Sequence, residues 1–274
     1  MLRENAWKKY DSEKLQEMNS FCDKYKNFIS ECKTERECVT FAVEEIKKAG
    51  YVDLNEVISS GRELKSQDKV YVNYMGKALA MFQIGDVPME KGMNLLGAHV
   101  DSPRLDLKQD PLYEDSDLAL LDTHYYGGIK KYQWVALPLA LHGVVVKKDG
   151  SVQNVVIGED ENDPVLGISD LLIHLSQNQL EKTGSKVVEG EDLNILVGSI
   201  PLEGEEKEPV KAQIVKLLEE KYGITEEDFS SAELEAVPAG KARDYGLDRS
   251  LIMGYGHDDR ICAYPSYQAM LSLD

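Results

Sequence analysis

The feature that most constrains the fold of this chain is a short apolar run that ends in a histidine and an acid. Residues 94–100 are too few for a helix and lie between Gly92 and Pro103, so we interpret them as a buried strand. This places His99 near the C-terminal end of the strand, where open α/β sheets carry their chemistry. Because residues i and i+2 share a face of an extended chain, we predict that Asp101 lies beside His99. Its carboxylate would accept one ring N–H and leave the other nitrogen for a metal.

A second group of acids lies far downstream, where a predicted strand meets a predicted helix. Residues 250–256 lead into His257, Asp258 and Asp259, and a helix is expected to follow. A carboxylate at such a junction can bridge two divalent cations about 3.5–4 Å apart. Histidine and carboxylate ligands suit Zn²⁺, Mn²⁺ or Co²⁺. Two alternatives stay open: His99-x-Asp101 is an ordinary polar tripeptide, and the downstream acids only stabilise a helix N-terminus.

The order of elements before the histidine predicts a mixed α/β fold. An amphipathic helix is expected from Ser12 to Cys32, and a second begins at Thr34, where Thr34 and Glu37 fit a capping box. Gly50 stands where the second helix should end. Residues 68–85 read as a β-hairpin. Helices, a hairpin and a buried strand together are typical of an α/β layer fold.

After Pro103 the pattern becomes rich in short strands. Residues 104–117 look polar and irregular, 168–178 and 209–222 look helical, and strands are expected at 118–121, 132–142, 143–147, 152–157, 193–200 and 232–237. We therefore interpret 1–103 as the first segment of an α/β domain. Residues 104–247 are interpreted as a β-rich insertion with its own core, and 248–274 as the start of the second segment.

Charge and composition exclude several classes of partner. The net charge is −18 and the acids are spread along the chain, so we expect neither nucleic acid nor a membrane as partner. No run approaches the roughly 20 apolar residues of a transmembrane helix. Residues 1–9 lead into no apolar signal-peptide core.

The cysteines show no zinc-binding spacing and are interpreted as reduced thiols of a cytoplasmic protein: Cys22, Cys32, Cys38 and Cys262.

Five motifs, in this order, make the chain resemble the aspartyl aminopeptidase and aminopeptidase I family of metallopeptidases. They are Gly-Ala-His-Val-Asp-Ser-Pro-Arg-Leu-Asp-Leu-Lys, Thr-His-Tyr-Tyr-Gly-Gly, Leu-His-Gly-Val-Val, Leu-Leu-Ile-His-Leu and Gly-His-Asp-Asp-Arg. The resemblance implies a mixed-sheet metallo-exopeptidase domain interrupted by a β-rich dimerisation domain. It further implies two divalent metals, Zn²⁺ above all, peptide substrates, and a homo-oligomer in which dimers build a dodecamer.

The resemblance also assigns roles to individual residues. His99 corresponds to a ligand of one metal, and Asp101 to the acid that orients it. Asp258 corresponds to the carboxylate that bridges the two metals, and Asp259 follows it at a position that often takes part in a cis peptide. His174 corresponds to a histidine of the inserted domain that reaches a neighbouring subunit's active site and stabilises the oxyanion.

The family pattern continues beyond the helix that follows Asp258, with a glutamate pair, an aspartate and a late histidine that these 274 residues do not contain. We therefore expect an incomplete form of a metal-dependent aminopeptidase that releases acidic or neutral N-terminal residues. The alternative is a non-catalytic, truncated relative that acts as an oligomerisation or interaction partner. A third possibility is a metal-dependent deacylase on the same scaffold.

Overall fold

The computed structural model describes residues 4–273, which form two compact units. The first unit contains the described residues up to Asp101 together with those from Lys241 onward, and the second contains Ser102–Gly240. Residues 1–3 and 274 lie outside the described range, and so does the very start of the stretch used to predict the absence of a signal peptide. Among the described helices, none is both long and apolar enough to cross a membrane.

The helices and strands are numbered here in chain order. The helices are α1 Ser12–Glu31, α2 Glu35–Lys48, α3 Leu54–Ser60, α4 Lys131–Trp134, α5 Gln177–Leu180, α6 Pro209–Tyr222 and α7 His257–Leu271. The strands are β1 Val52–Asp53, β2 Lys69–Tyr74, β3 Ala78–Gln83, β4 Arg104–Asp115, β5 Leu118–Tyr126, β6 Leu139–Val146, β7 Val152–Ile157, β8 Gly167–Ile168, β9 Ile195–Gly198, β10 Ala232–Pro238, β11 Arg243–Tyr245 and β12 Leu251–Met253.

The first two helices and the hairpin of the first unit were predicted correctly from local sequence signals. The Asp11 side chain caps α1, and Thr34 and Glu37 form a capping box at α2. Gly50 follows α2 with φ +87°, a conformation that suits glycine. The predicted hairpin is β2–β3, and β1 pairs with β2 in parallel.

The second unit is organised on one seven-stranded sheet in the order β7-β6-β10-β4-β5-β9-β8, with antiparallel pairing throughout. Its core consists of side chains with almost no solvent exposure from strands spread over the whole sheet. They include Leu105, Leu139, Val145, Ile195 and Ala236. Helix α6 matches its predicted range, and Gly223 ends it in the left-handed conformation.

Three local predictions for the second unit were wrong. Of residues 104–117, Arg104–Asp115 form strand β4, and a register shift between Leu107 and Leu112 breaks its alternation, which made the sequence look irregular. Residues 168–178 form a strand end, a turn and α5, because the consecutive apolar residues there do not repeat at helical spacing. The predicted strand at 132–142 begins at Leu139, after the short helix α4 and Pro138.

The run expected to be a buried strand, residues 94–100, is not one in the described structure. No described strand pairs with it, and its residues up to His99 are exposed. Leu95 is 85% exposed and Leu96 55%. Val100 alone packs against a core cluster of the first unit. A strand needs a neighbour to satisfy its backbone groups, and the described residues provide none here.

Arg260 holds this run in place from the start of α7. Its side chain is fully buried, and its guanidinium donates to three backbone carbonyls: Val100 at 2.9 Å, Cys32 at 2.7 Å and Lys33 at 2.7 Å. Cys32 and Lys33 follow the C-terminal end of α1, where carbonyls lack helical partners and a positive charge is favourable. Arg260 thereby joins the end of α1 to the chain beside His99.

We expect Arg260→Met to lower the free energy of unfolding by about 3–5 kcal/mol, because three buried carbonyls lose their donor. Arg260→Lys should recover part of this loss, since an ammonium cannot reproduce the planar fork. Urea unfolding measures both. Arg249→Met is the matched control, because Arg249 is 80% exposed and should change stability by less than about 0.5 kcal/mol. Equal losses at the two arginines would contradict this assignment.

Gly143 in β6 is expected to tolerate no side chain. A Cβ built there would lie 1.9 Å from the carbonyl oxygen of Glu233 on the paired strand β10, and φ is +147°. We expect Gly143→Ala to destabilise the second unit by about 3 kcal/mol or more. Gly167→Ala is the control, because nothing lies within 4 Å of its Cβ position. Guanidinium unfolding compares the two, and similar midpoints would disprove the expected clash.

Candidate functional site

The first unit brings together three of the predicted site residues. The His99 ring lies between Asp101 and Asp258, with Nδ1 3.3 Å from an Asp101 carboxylate oxygen and Nε2 3.4 Å from Asp258 Oδ1. Nδ1 is also 2.9 Å from the Asp101 backbone carbonyl oxygen, which can only accept a hydrogen bond. The proton therefore resides on Nδ1, and the Nε2 lone pair points to the side of Asp258.

This geometry refines the predicted role of Asp101. The sequence predicted that its carboxylate would accept the ring N–H, whereas the shorter contact is to its main-chain oxygen. Either acceptor fixes the same tautomer of His99 and leaves the same nitrogen available.

Asp258 and Asp259 lie where the chain enters α7. Both depart from helical backbone angles, and the peptide bond between them is cis, as the family resemblance implied. Asp259 Oδ2 lies 4.0 Å from His99 Nε2. The turn that leads into α7 requires a glycine at position 256. Gly256 has φ +92°, and a Cβ built there would lie 2.4 Å from the Arg260 guanidinium. Glycine and Arg260 together therefore shape the loop that presents the two acids.

Electrostatics around the histidine are dominated by negative charge. Partial burial lowers the pKa of His99, but the hydrogen bond to the Asp101 carbonyl and the charges of Asp101, Asp259 and Asp258 outweigh it, so the pKa is raised. The same field affects the neighbouring thiol, because a hydrogen bond to Asp259 and partial desolvation raise the pKa of Cys262. A site of this charge favours cations.

The donor set and spacing fit a zinc ion. Zn²⁺ binds histidine nitrogen at about 2.0–2.1 Å and carboxylate oxygen at about 2.0–2.2 Å, so two ligands of a tetrahedral site lie about 3.3 Å apart. The 3.4 Å between His99 Nε2 and Asp258 Oδ1 matches this separation. Both side chains are more than half exposed, so an ion could reach them. The two donor atoms are therefore spaced so that they could share one ion.

His257 contacts a tyrosine of α1 in the described structure. Its Nδ1 lies 2.9 Å from the hydroxyl of Tyr25 on α1. Burial raises the pKa of Tyr25 to about 12, so this hydroxyl stays protonated and can donate. The pair joins α1 to the beginning of α7 and leaves His99 as the histidine at the acidic cluster.

His174 belongs to the second unit. It lies on an exposed turn, Ile173–Leu175, that precedes α5. Four apolar neighbours on this turn and just before it are more than half exposed: Leu171, Leu172, Ile173 and Leu175. The sequence predicted a helical histidine here, and the structure shows a turn.

Sequence reasoning missed Arg260 as a residue that positions the site. A signal was available, because a cation in the first turn of a helix opposes the helix dipole and needs a separate reason to be there. The reason is the set of three carbonyls that it binds.

The chain is similar in sequence and in fold to known proteins. Residues 28–274 match the sequence profile described as aminopeptidase I zinc metalloprotease (M18). A probable M18 family aminopeptidase 1 of Clostridium acetobutylicum is 65% identical over 270 residues, which are 98% of this chain and 58% of that protein. The crystal structure of the M18 aminopeptidase of Thermotoga maritima superposes with a TM-score of 0.92 at 46% identity, covering 100% of this chain and 59% of that one.

A more distant solved structure, the mApe1 dodecamer of S. cerevisiae, shares the fold with a TM-score of 0.64 at 20% identity, over 91% of this chain and 55% of that one. The chain thus spans less than two thirds of the length of the relatives it matches. Profile, sequence identity and fold point to one conclusion: the chain belongs to the aminopeptidase I zinc metalloprotease (M18) family.

Proposed function

We propose that the chain forms part of a zinc-dependent aminopeptidase that releases N-terminal residues from peptides. The observation that carries this proposal is the 3.4 Å separation of His99 Nε2 and Asp258 Oδ1, with the other ring nitrogen committed to Asp101. A neutral imidazole with a fixed tautomer beside a carboxylate is a typical half of a zinc site. Membership of a zinc metalloprotease family supports the same ion.

Each residue has a defined task in this proposal. His99 and Asp258 hold a metal, with Asp258 proposed to bridge to a second one, and Mn²⁺ or Co²⁺ are possible substitutes. Asp101 is proposed as the residue that keeps the imidazole in the ligating tautomer. When bound, divalent metals supply Lewis acidity and lower the pKa of water. The surrounding acids attract cations, and the protonated α-amine of a peptide is one. We therefore propose substrates with a free N-terminus and an acidic or neutral first residue.

We further propose that residues 104–247 form an inserted dimerisation domain between two peptidase segments, 1–103 and 248–274. The support is the exposed apolar turn around His174, next to an open cavity of about 530 Å³ lined in part by Leu171, Ile173 and Leu180. Contiguous apolar surface of this kind usually marks an interface. In an assembly like that of the yeast dodecamer, His174 would serve the active site of a neighbouring subunit.

A cytoplasmic location belongs to the same proposal. All four cysteines are free thiols, although Cys32 and Cys38 are both buried in one cluster. A reducing compartment keeps such neighbours unpaired.

The non-catalytic partner that the sequence left open as an alternative has no support among the matched relatives, which are named aminopeptidases.

His99→Ala is expected to weaken zinc binding at least tenfold, because the nitrogen donor is lost. Competition with a chromophoric chelator measures the affinity. His124→Ala is the control, since His124 is an exposed histidine of β5 that stacks on Tyr125 in the second unit. If both variants bind zinc as the parent chain does, the assignment of the metal to His99 is wrong.

Hydrolysis of aspartyl, glutamyl and leucyl amides tests the reaction. We expect the full-length protein of which this chain forms part to show turnover that chelators abolish and that N-acetylated amides do not undergo. His99→Ala should reduce turnover at least 100-fold, and His174→Ala should reduce it without changing zinc affinity. Release of acetate from the acetylated compounds, with the aminoacyl amide bond left intact, would instead favour the deacylase alternative.

Ile173→Asp is expected to shift the oligomer towards smaller species, because a charge placed in an apolar interface is costly to desolvate. Light scattering after size exclusion measures the mass. Ile58→Asp is a matched control: Ile58 is 67% exposed on α3 and Ile173 is 68% exposed. An identical mass for both variants would show that this turn is not part of the interface.

A further inference from the structure

His257, the residue that precedes Asp258, packs its ring against helix α1. Its Nδ1 lies 2.9 Å from the hydroxyl oxygen of Tyr25, and the centroids of the two rings are 5.7 Å apart. His257 Nε2 is buried and has no hydrogen-bond partner among the residues that the structure describes. The Tyr25 hydroxyl is therefore the polar contact that orients this imidazole.

Tyr25 is itself held firmly by aromatic side chains of the first unit. It is 6% exposed, and its ring centroid lies 5.4 Å from that of Tyr264. The Tyr264 ring in turn lies 5.0 Å from the ring of Phe28. Close-packed interiors leave a buried ring few alternative rotamers. The Tyr25 hydroxyl therefore occupies a defined position beside His257.

Helix α1 contacts the chain on both sides of the two acids. Before them, a Cβ built on Gly254 would lie 2.9 Å from Ile29 Cδ1, so the backbone passes directly against the helix. After them, Arg260 donates to two carbonyls at the C-terminal end of α1. His257 contacts the helix between these two points. Asp258 thus follows one residue that binds α1 and lies two residues before another.

The backbone of Asp258 is not held by regular helical geometry. Asp258 has φ −90° and ψ 110°, so the hydrogen bonds of α7 do not dictate where its carboxylate points. Its side chain is 75% exposed, so packing around the carboxylate holds it weakly. The direction of this side chain therefore depends on the residues that anchor the chain next to it.

We propose that Tyr25 is a positioning residue of the metal site: through its hydrogen bond to His257 it directs Asp258 towards His99. Arg260 fixes the chain after the acids, and Tyr25 fixes it before them. Zinc ligands must lie within about 0.2 Å of their usual distances, so a small rotation at residue 257 is enough to spoil the fit of Asp258 to the ion. Partners of this kind, one step removed from the metal, typically change its affinity 10- to 100-fold.

A purely structural role of Tyr25 is the alternative. The hydroxyl would then contribute to the stability of the first unit without affecting the approach of Asp258 to His99. The two roles differ in what they predict for the metal-free site and for zinc. The effect on zinc rests on the proposed function, whereas the placement of Asp258 does not.

Tyr25→Phe removes the hydroxyl and keeps the ring. In the metal-free 274-residue chain, we expect it to abolish the nuclear Overhauser effect between the His99 ring protons and the Asp258 β-protons. Zinc affinity, measured by competition with a chromophoric chelator, should fall about tenfold. Tyr264→Phe is the matched control, because it removes a hydroxyl from a buried ring of the same cluster that does not bind His257. It should leave both quantities unchanged.

Variants of His257 separate the hydrogen bond from the packing of the ring. His257→Leu should lower zinc affinity as much as Tyr25→Phe does. His257→Asn should retain most of it, because the asparagine side chain places a polar atom where Nδ1 lies. The double variant Tyr25→Phe/His257→Leu should bind zinc within about twofold of either single variant, since the two residues act through one bond.

Three outcomes would overturn the proposal. They are an Overhauser effect that persists in Tyr25→Phe, equal losses of zinc affinity in Tyr25→Phe and Tyr264→Phe, and a loss in His257→Asn as large as that in His257→Leu. Loss of the Overhauser effect in Tyr25→Phe alone supports the positioning role even if the parent chain binds no zinc. That last result would contradict only the proposed function.

Discussion

The candidate site depends on one buried guanidinium. Arg260 reaches carbonyls 160 and 228 residues away in sequence, at Val100 and Cys32, and thereby joins the end of α1 to the chain that carries His99. Since Arg260 follows Asp259 directly, the same anchor fixes where the two acids leave the loop. A charged side chain without solvent exposure is costly unless its donors are satisfied. Here main-chain oxygens satisfy them, so the positive charge remains close to the acids without neutralising them through an ion pair.

The cluster of acids around His99 carries an excess of negative charge. Asp101, Asp258 and Asp259 each place a carboxylate oxygen within 4.0 Å of a single imidazole, in a chain that already carries a charge of −18. Like charges at such separations repel, and protonation of His99, which the raised pKa favours, offsets the repulsion only in part. A divalent cation offsets it more fully and uses the nitrogen that Asp101 leaves available. The arrangement thus favours the binding of a cation on electrostatic grounds alone.

The features that were predicted correctly from the sequence depend on interactions between residues that are close in sequence. The capping box of Thr34 and Glu37, the hairpin β2–β3 and helix α6 are determined by neighbours in sequence, and they were predicted correctly. The proximity of His99 and Asp101 is equally local, because it follows from the geometry of an extended chain. The approach of Asp258 was inferred from the family resemblance, since nothing local connects it with His99.

The wrong predictions concern features that depend on residues distant in sequence. Residues 94–100 were predicted to be a buried strand from their apolar composition, but no described strand pairs with them. The register shift in β4 and the turn at His174 depend on strand pairing and on apolar side chains that are left exposed. The charge of Arg260 at the start of α7 was a signal, but its partners could not be predicted, because they are distant main-chain carbonyls.

Solvent exposure also determines the strength of the electrostatic interactions between His99 and the acids around it. His99 is 53% exposed and Asp258 75%, so water screens every interaction between them. Electrostatic stabilisation of a transition state becomes large where water is excluded and the dipoles are fixed in advance. The run that precedes His99 contributes three exposed apolar side chains to its surroundings, and these would exclude water once a neighbour covered them. The exposure of the leucines and the exposure of His99 and Asp258 are therefore linked, because covering the run would strengthen the electric field at the imidazole.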